Sequence, residues 1–242
     1  MKRKNKEAPK EDVSTIQLDQ DVKDFFESEN VQVIGFLGSG TYANVYKVKN
    51  KGSTMACKVI DFAKTSSSYQ VRMLPRELTI IANLQHKYII TTHDAKRYKN
   101  KVFIFMDFAK GGTLVEMLKS GPVPEEKAKK IFAGVLMGLN YMHHKRKTAH
   151  RDVKLENILM DWDEQQKELI PKLTDFSYSV QERTDNLHKT FCGTLPYMSP
   201  EVLCGRDYDP FKADIWALGV CLYLLTNDSK SKYICISLHL TN

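Results

Sequence analysis

The sequence predicts an α+β fold, in which a five-stranded antiparallel sheet carrying one main helix precedes a mostly helical half. Three observations lead there. Between residues 31 and 108, short apolar runs alternate with turns rich in Gly, Asn and Lys. At Gly111-Gly112 the texture changes across a flexible joint. Beyond Pro124 the apolar residues recur at helical spacing.

Taken in order, residues 1 to about 24 are polar and lysine-rich and are expected as a basic, disordered or loosely docked extension. Val31-Gln32-Val33-Ile34 alternates as a strand does, Gly38-Ser39-Gly40 turns it, and Asn44 to Val48 returns as its hairpin partner. After Asn50-Lys51-Gly52 comes a third strand, Met55 to Ile60. Residues 65 to 84 read as the main helix, with Leu74, Leu78, Ile81 and Leu84 on one face. Pro75 interrupts it, so the firm helix starts there or kinks there. Ile89 to Thr92 and Val102 to Phe108 complete the five strands. Thr113 to Lys119 is a short helix, and Pro124 opens a longer one bearing Ala128, Ile131, Phe132, Val135, Leu136, Leu139 and Met142 on one side. The domain boundary falls near residue 110, and no internal repeat is visible.

Composition bounds the classes open to the chain. Its 242 residues make one large domain or two small ones. No apolar run reaches the roughly 18 residues that span a bilayer, so no membrane association is expected. Met1 to Gln20 lacks the apolar core of a signal peptide. The five cysteines form no C-x-x-C pair, which suits a reducing compartment; the cytoplasm is expected, with the N-terminal Lys/Arg run compatible with a nuclear address. The net charge of +7 is spread along the chain, and a solvated basic surface accounts for it better than nucleic-acid binding.

The residues with chemical promise are scattered but complementary. His150-Arg151-Asp152-Val153-Lys154-Leu155-Glu156-Asn157 is too charged for a core and reads as a solvated turn. Gly38-Ser39-Gly40-Thr41-Tyr42-Ala43-Asn44-Val45 approximates G-x-G-x-x-G-x-V, and the strand after it argues against a dinucleotide fold. A hairpin loop of that kind can close backbone N–H groups over phosphates. Lys58 lies between Cys57 and Val59: it is either an edge lysine facing water or an ammonium that holds phosphate oxygens with Glu77 as counter-charge. Arg76, beside Glu77, is expected to point away. Leu169 to Asp175 reads as a strand ending in a carboxylate, and Asp175 with Asn157 would make an oxygen-rich site suited to Mg2+. Asp152 would then accept or orient a hydroxyl proton, and Lys154 would neutralise a transferred group.

In order along residues 31 to about 226, these motifs resemble those of eukaryotic protein kinases: the glycine loop, Met-Ala-Cys-Lys, His-Arg-Asp with Asn157, Asp-Phe-Ser, Ser-Pro-Glu at 199 to 201, and Asp214-Ile215-Trp216-Ala217-Leu218-Gly219. Lys154 resembles the serine/threonine-directed form. Leu74-Pro75-Arg76-Glu77 and Lys189 to Thr194 are most similar to the testis-specific serine/threonine kinase group, near the calcium/calmodulin and AMP-activated branches. The resemblance implies a two-lobed fold, with residues 25–109 as N-lobe and 110–228 as C-lobe, and ATP and Mg2+ as cofactors. It implies that Leu37, Gly38, Gly40, Val45, Ala56, Lys58, Glu77, Met106, Asp107, Ala109 and Leu159 bind ATP. Asp152 is then the base, Lys154 its cationic companion, and Asn157 and Asp175 the metal ligands. Thr190 takes the activating phosphosite with Arg151 as its counter-charge, and Thr194 helps specify Ser/Thr acceptors in a protein substrate. An upstream activating kinase is implied as a partner.

Three departures qualify the resemblance. Ser177 replaces the glycine of D-F-G and is expected to restrict its flip. Thr113 stands where many members carry an acidic residue for the ribose. The C-lobe reads as incomplete: the stretch Phe211 to Thr226 is apolar nearly all round, and residues 229–242 form a tail without family resemblance. Such a helix expects burial on all sides, so an exposed part would mark a partner surface or an aggregation liability. The alternative to an active kinase is therefore a catalytically weak, nucleotide- or protein-binding module.

Overall fold

The computed structural model describes residues 16–181 and 187–227. The Lys/Arg-rich first ten residues and the tail 229–242 lie outside the described residues. Two compact units emerge: residues up to Ser67 with Thr92–Phe108, and Ser68–Thr91 with Ala109 onward. No helix among the described residues is long and apolar enough to cross a membrane.

In the first unit, β1 (Gln32–Ser39), β2 (Ala43–Asn50), β3 (Ser53–Asp61), β4 (Thr92–Tyr98) and β5 (Lys101–Asp107) form one antiparallel sheet in the order β1-β2-β3-β5-β4. Side chains alternate across a strand, so register sorts them into two faces. Tyr46 opposes Cys57, and Cys57 opposes Phe105; Val59 opposes Phe103. These residues join Val48 in one apolar face. A helix not anticipated from sequence, α1 (Gln20–Ser28), covers it. Its first residues fall within the stretch expected as an extension. Asp19 caps it by accepting the Val22 N–H, and Val22, Phe25 and Phe26 are buried, with the Phe25 ring stacked 3.7 Å from that of Phe103. Each such aromatic contributes roughly 1.5–3 kcal/mol on burial. Lys101, nearly enclosed, pairs with Asp61 at 3.0 Å and with Asp19 at 3.1 Å, fastening the cap of α1 to the sheet.

The expected fourth strand at Ile89 to Thr92 is displaced. β4 starts at Thr92, and Ile89 instead makes a parallel bridge to Leu173 in the second unit. The run Thr-His-Asp-Ala-Lys-Arg-Tyr is a polar edge strand with no apolar alternation to reveal it, while Ile89 and Ile90 are apolar because they are core.

The second unit begins with a π-helical turn, Tyr69–Met73, running into α2 (Leu74–Ala82). Pro75 occupies the first turn of α2, where its missing N–H is harmless; the wide turn lies just before it. Next come α3 (Leu114–Leu118), opened by a reciprocal Thr113/Glu116 capping box, and α4 (Glu125–Asn140). α4 buries Ala128, Ile131, Val135 and Leu139 as expected, but Leu136 is exposed, because the stripe passes through Gly134 and Gly138 instead. A Cβ at Gly134 would fall 2.6 Å from Pro171. α4 thereby packs closely on the hairpin of β7 (Ile158–Asp163) and β8 (Glu168–Leu173). The pair β6 (Thr148–Ala149) and β9 (Val180–Gln181), the short α5 (Pro200–Leu203) and α6 (Pro210–Thr226) complete the unit. α6 buries Leu218, Cys221, Leu224 and Leu225, while Ile215, Trp216 and Tyr223 are exposed among the described residues. Cys57, Cys192, Cys204 and Cys221 carry free thiols.

Candidate functional site

On the first unit's sheet, the face opposite α1 collects the expected nucleotide residues. Val45 and Lys58 are direct cross-strand partners, as are Lys58 and Ile104, and Ala56 and Met106. The register therefore puts Val45, Ala56, Lys58 and Met106 on one face. Leu37 and Gly38 end β1, Leu37 45% exposed, and the Gly40 N–H closes the turn onto the Ala43 carbonyl at 2.7 Å. Asp107 Oδ1 lies 2.6 Å from His93 Nε2.

In the second unit the charged loop is built on a buried carboxylate. Asp214, one turn into α6, accepts the backbone N–H of His150 at 2.8 Å and that of Arg151 at 2.7 Å, and lies 2.8 Å from His143 Nε2. His150, fully buried, reaches the Thr174 carbonyl with Nε2 at 3.0 Å, and its Nδ1 accepts the Asp152 N–H at 3.3 Å. These bonds hold Arg151 at φ +64°, a region costly for a side chain with a Cβ. Gly193, at φ +112°, passes so near that a Cβ there would lie 2.8 Å from the Arg151 carbonyl.

That scaffold presents Asp152, whose carboxylate is almost wholly buried yet fully engaged. Oδ1 accepts the Thr194 hydroxyl at 2.7 Å. Oδ2 lies 2.7 Å from Lys154 Nζ and accepts the Asn157 amide at 3.0 Å. Lys154 also donates to the Thr194 hydroxyl at 2.9 Å, and Asn157 to the Asp152 carbonyl at 2.9 Å. Such charge-assisted bonds fix the carboxylate in orientation. Because the Asn157 nitrogen is committed to Asp152, its amide oxygen is the end left to face a cation. The Thr174 N–H donates to the Asn157 carbonyl at 3.0 Å, which seats Asp175, at φ +61°, beside the loop. An amide oxygen and a carboxylate are hard donors of the kind Mg2+ takes when phosphates and water supply the rest, so these residues fit that ion. Ser177 has no positive φ, so serine sits there without backbone strain.

The segment after residue 187 carries Thr190, exposed, whose carbonyl accepts the Tyr208 hydroxyl at 2.9 Å. Burial pushes the Tyr208 phenol up to about 12. Arg151 Nε donates to the Tyr178 carbonyl at 2.8 Å. Arg76, beside Glu77 in α2, faces different neighbours from Glu77: Arg151 is near it, whereas Glu77 meets the Tyr69 hydroxyl. Arg76 is half-buried, its Nε has no hydrogen-bond partner, and burial followed by the nearby Arg151 charge lowers its pKa.

Thus Asp152, Lys154, Asn157 and Thr194 form one network, with Arg151 held beside it by Asp214 and Tyr178 and Asp175 tied to it through Thr174. Glu77, buried in α2, lies within 3.4 Å of the Tyr69 hydroxyl. Ala109 is buried, and Leu159 is half-buried in β7. Val45, Ala56, Lys58, Met106 and Asp107 belong to the first unit. Sequence reasoning missed His143, whose only signal is its place in a run of helix-ending histidines.

Comparison with known proteins agrees with this geometry. The protein kinase domain model matches residues 31–232. CBL-interacting serine/threonine-protein kinase 18 of Arabidopsis thaliana is 38% identical over 194 residues, covering 78% of this chain and 36% of the relative. CBL-interacting protein kinase 26 of Oryza sativa subsp. japonica is 36% identical over 196 residues, covering 79% and 38%. Testis-specific serine/threonine-protein kinase 3 of Mus musculus is 36% identical over 210 residues, covering 84% of this chain and 76% of the relative. The chain spans well under half the length of the two plant relatives. The match covers most of the chain, which belongs to the protein kinase domain family.

Proposed function

We propose that the chain is a serine/threonine protein kinase, transferring the γ-phosphoryl group of ATP to hydroxyl groups of protein substrates. The observation that carries this reading is the Asp152 carboxylate, held by Thr194, Lys154 and Asn157 in one fixed orientation. The substrate hydroxyl oxygen attacks the γ-phosphorus, its proton passes to Asp152, and the bond to the β,γ-bridging oxygen breaks to release ADP. Lys154 offsets charge on the moving group. Asn157 and Asp175 would hold Mg2+, which neutralises phosphate charge when bound. In the first unit, Lys58 would hold the α- and β-phosphates. Val45 and Ala56 there, and Leu159 in the second unit, would lie against adenine, with Met106 as gatekeeper and the backbone of Asp107 to Ala109 bonding its edge.

Phosphorylation of Thr190 by an upstream kinase is the proposed switch, its phosphate received by Arg151 and by Arg76, whose Nε lacks a partner. Residues 25–109 and 110–228 are proposed as the two lobes, and the cytoplasm as the compartment. Phosphate transfer from labelled Mg-ATP to a basic protein substrate tests the assignment, comparing the chain with Asp152→Asn. A drop of about 10²–10⁴-fold in the variant supports it, and equal transfer by both refutes this site. Mg-ATP binding without turnover in Thr190-phosphorylated protein would favour the non-catalytic module.

A further inference from the structure

The β7–β8 hairpin has a second edge with a use of its own. Met160 donates its N–H to the Gly112 carbonyl and accepts the Gly111 N–H, both at 2.7 Å, so it makes no hydrogen bond to its partner Pro171. Antiparallel pairs alternate, so the Trp162–Leu169 pair is likewise unbonded. The Leu169 N–H and carbonyl, and the Pro171 carbonyl, therefore point away from β7. Two residues on, Leu173 uses the same outward groups: its N–H donates to the Tyr88 carbonyl and its carbonyl accepts the Ile90 N–H, both at 2.9 Å. That edge thus already takes a passing chain at one end, and among the described residues nothing bonds it at Leu169 and Pro171.

Beside the open end lies a cavity of about 630 Å³ between β8 and α4, floored by Gly134 and walled by Tyr88, Ile131 and Met137. Met137 is 50% exposed and Trp162, at its end, 41%. The groove is open to solvent, and its volume falls in the range of clefts that take a ligand. Of the charges on its rim, Glu126 pairs with Lys129, and Lys130 with Glu168. Lys127 has no ion-pair partner among the described residues, which leaves one cation to be matched.

We propose that this edge and groove bind an extended partner peptide by strand addition, with two apolar side chains two residues apart in the cavity and a carboxylate against Lys127. The period of two follows from the strand itself, and the absent N–H of Pro171 fixes which end of the edge can both donate and accept. This site shares no residue with the Asp152 network, so it can serve substrate or regulator docking independently of phosphoryl transfer.

The probe is the capped peptide acetyl-Asp-Leu-Thr-Leu-Asn-Gly-amide, titrated calorimetrically into the full chain. Saturable binding with a Kd of about 10–100 μM is expected, and no binding up to about 1 mM overturns the proposal. Two analogues report strand pairing on the unmodified protein: one N-methylated at both leucines, the other at Thr and Asn. Loss of about tenfold or more with one analogue and retention with the other is the expected signature; equal affinities overturn edge pairing. Met137→Arg and Lys127→Glu, both on the surface, should each weaken binding about fivefold or more with unchanged circular dichroism. Unweakened binding by both places the peptide elsewhere and overturns the site.

Discussion

Asp214 Oδ1 accepts the Arg151 backbone N–H at 2.7 Å, at a residue held at φ +64°. The strained turn before Asp152 exists because this carboxylate, with Oδ2 on the His150 N–H, over-determines it. Asp214→Ala strands two buried N–H groups and His143. It is expected to cost about 3–5 kcal/mol, lowering the thermal midpoint on the order of 10 °C. Calorimetry measures this directly, and a shift under 2 °C, well below about 1 kcal/mol, contradicts it.

Thr194 bridges Asp152 and Lys154 through one hydroxyl, donating to the first and accepting from the second. Thr194→Val keeps the shape and removes the bridge. The transfer rate should fall about 10- to 100-fold, with kcat carrying the loss and KM for ATP little changed. Thr194→Ser restores the hydroxyl and should restore most of the rate. A serine variant as slow as the valine one would assign the effect to packing instead.

Arg76 has an orphan Nε near Arg151. Phosphate on Thr190 should satisfy it, so the phosphorylated chain is expected to melt a few degrees higher than the unmodified one, about 2 kcal/mol of added stability. Arg76→Ala should remove much of that increment while leaving the unmodified chain nearly unchanged. An undiminished increment in the variant argues that Arg151 alone receives the phosphate.

His86 stacks on Tyr141, ring centroids 4.9 Å apart, and its Nδ1 accepts the Tyr88 N–H at 3.3 Å. Both burial and the Lys172 charge lower its pKa from the ordinary 6.5. The unfolded chain then binds the proton more readily than the folded one. The stabilising difference is fully present above the unfolded value and is lost as pH falls through the folded one. Stability should therefore drop as pH falls below about 6.5, and His86→Phe should flatten that part of the profile in urea titrations. A variant profile parallel to that of the parent chain would exonerate His86.

Much of the candidate site was legible because its chemistry sits in contiguous motifs: Asp152, Lys154 and Asn157 fall within six residues, and Asp175 lies two residues past the end of β8. The sheet was legible through its glycine and asparagine turns. α1 was not, although Val22, Phe25 and Phe26 keep helical spacing, because only three of its nine residues are apolar and a polar run precedes them. β4 was hidden by its edge position. His143 could not be found at all, since its meaning depends on Asp214, 71 residues away.

The alternation of β2, β3 and β5 also divides the chain's freedom to vary. Tyr46, Cys57, Val59, Phe103 and Phe105 answer to α1, while Val45, Ala56, Lys58 and Met106 answer to whatever lies on the other side. Substitutions at positions of one parity are therefore read out as stability, and at the other as ligand preference. A population of variants drawn from these three strands should separate into two nearly uncorrelated phenotypes, sorted by whether the position number in each strand is odd or even.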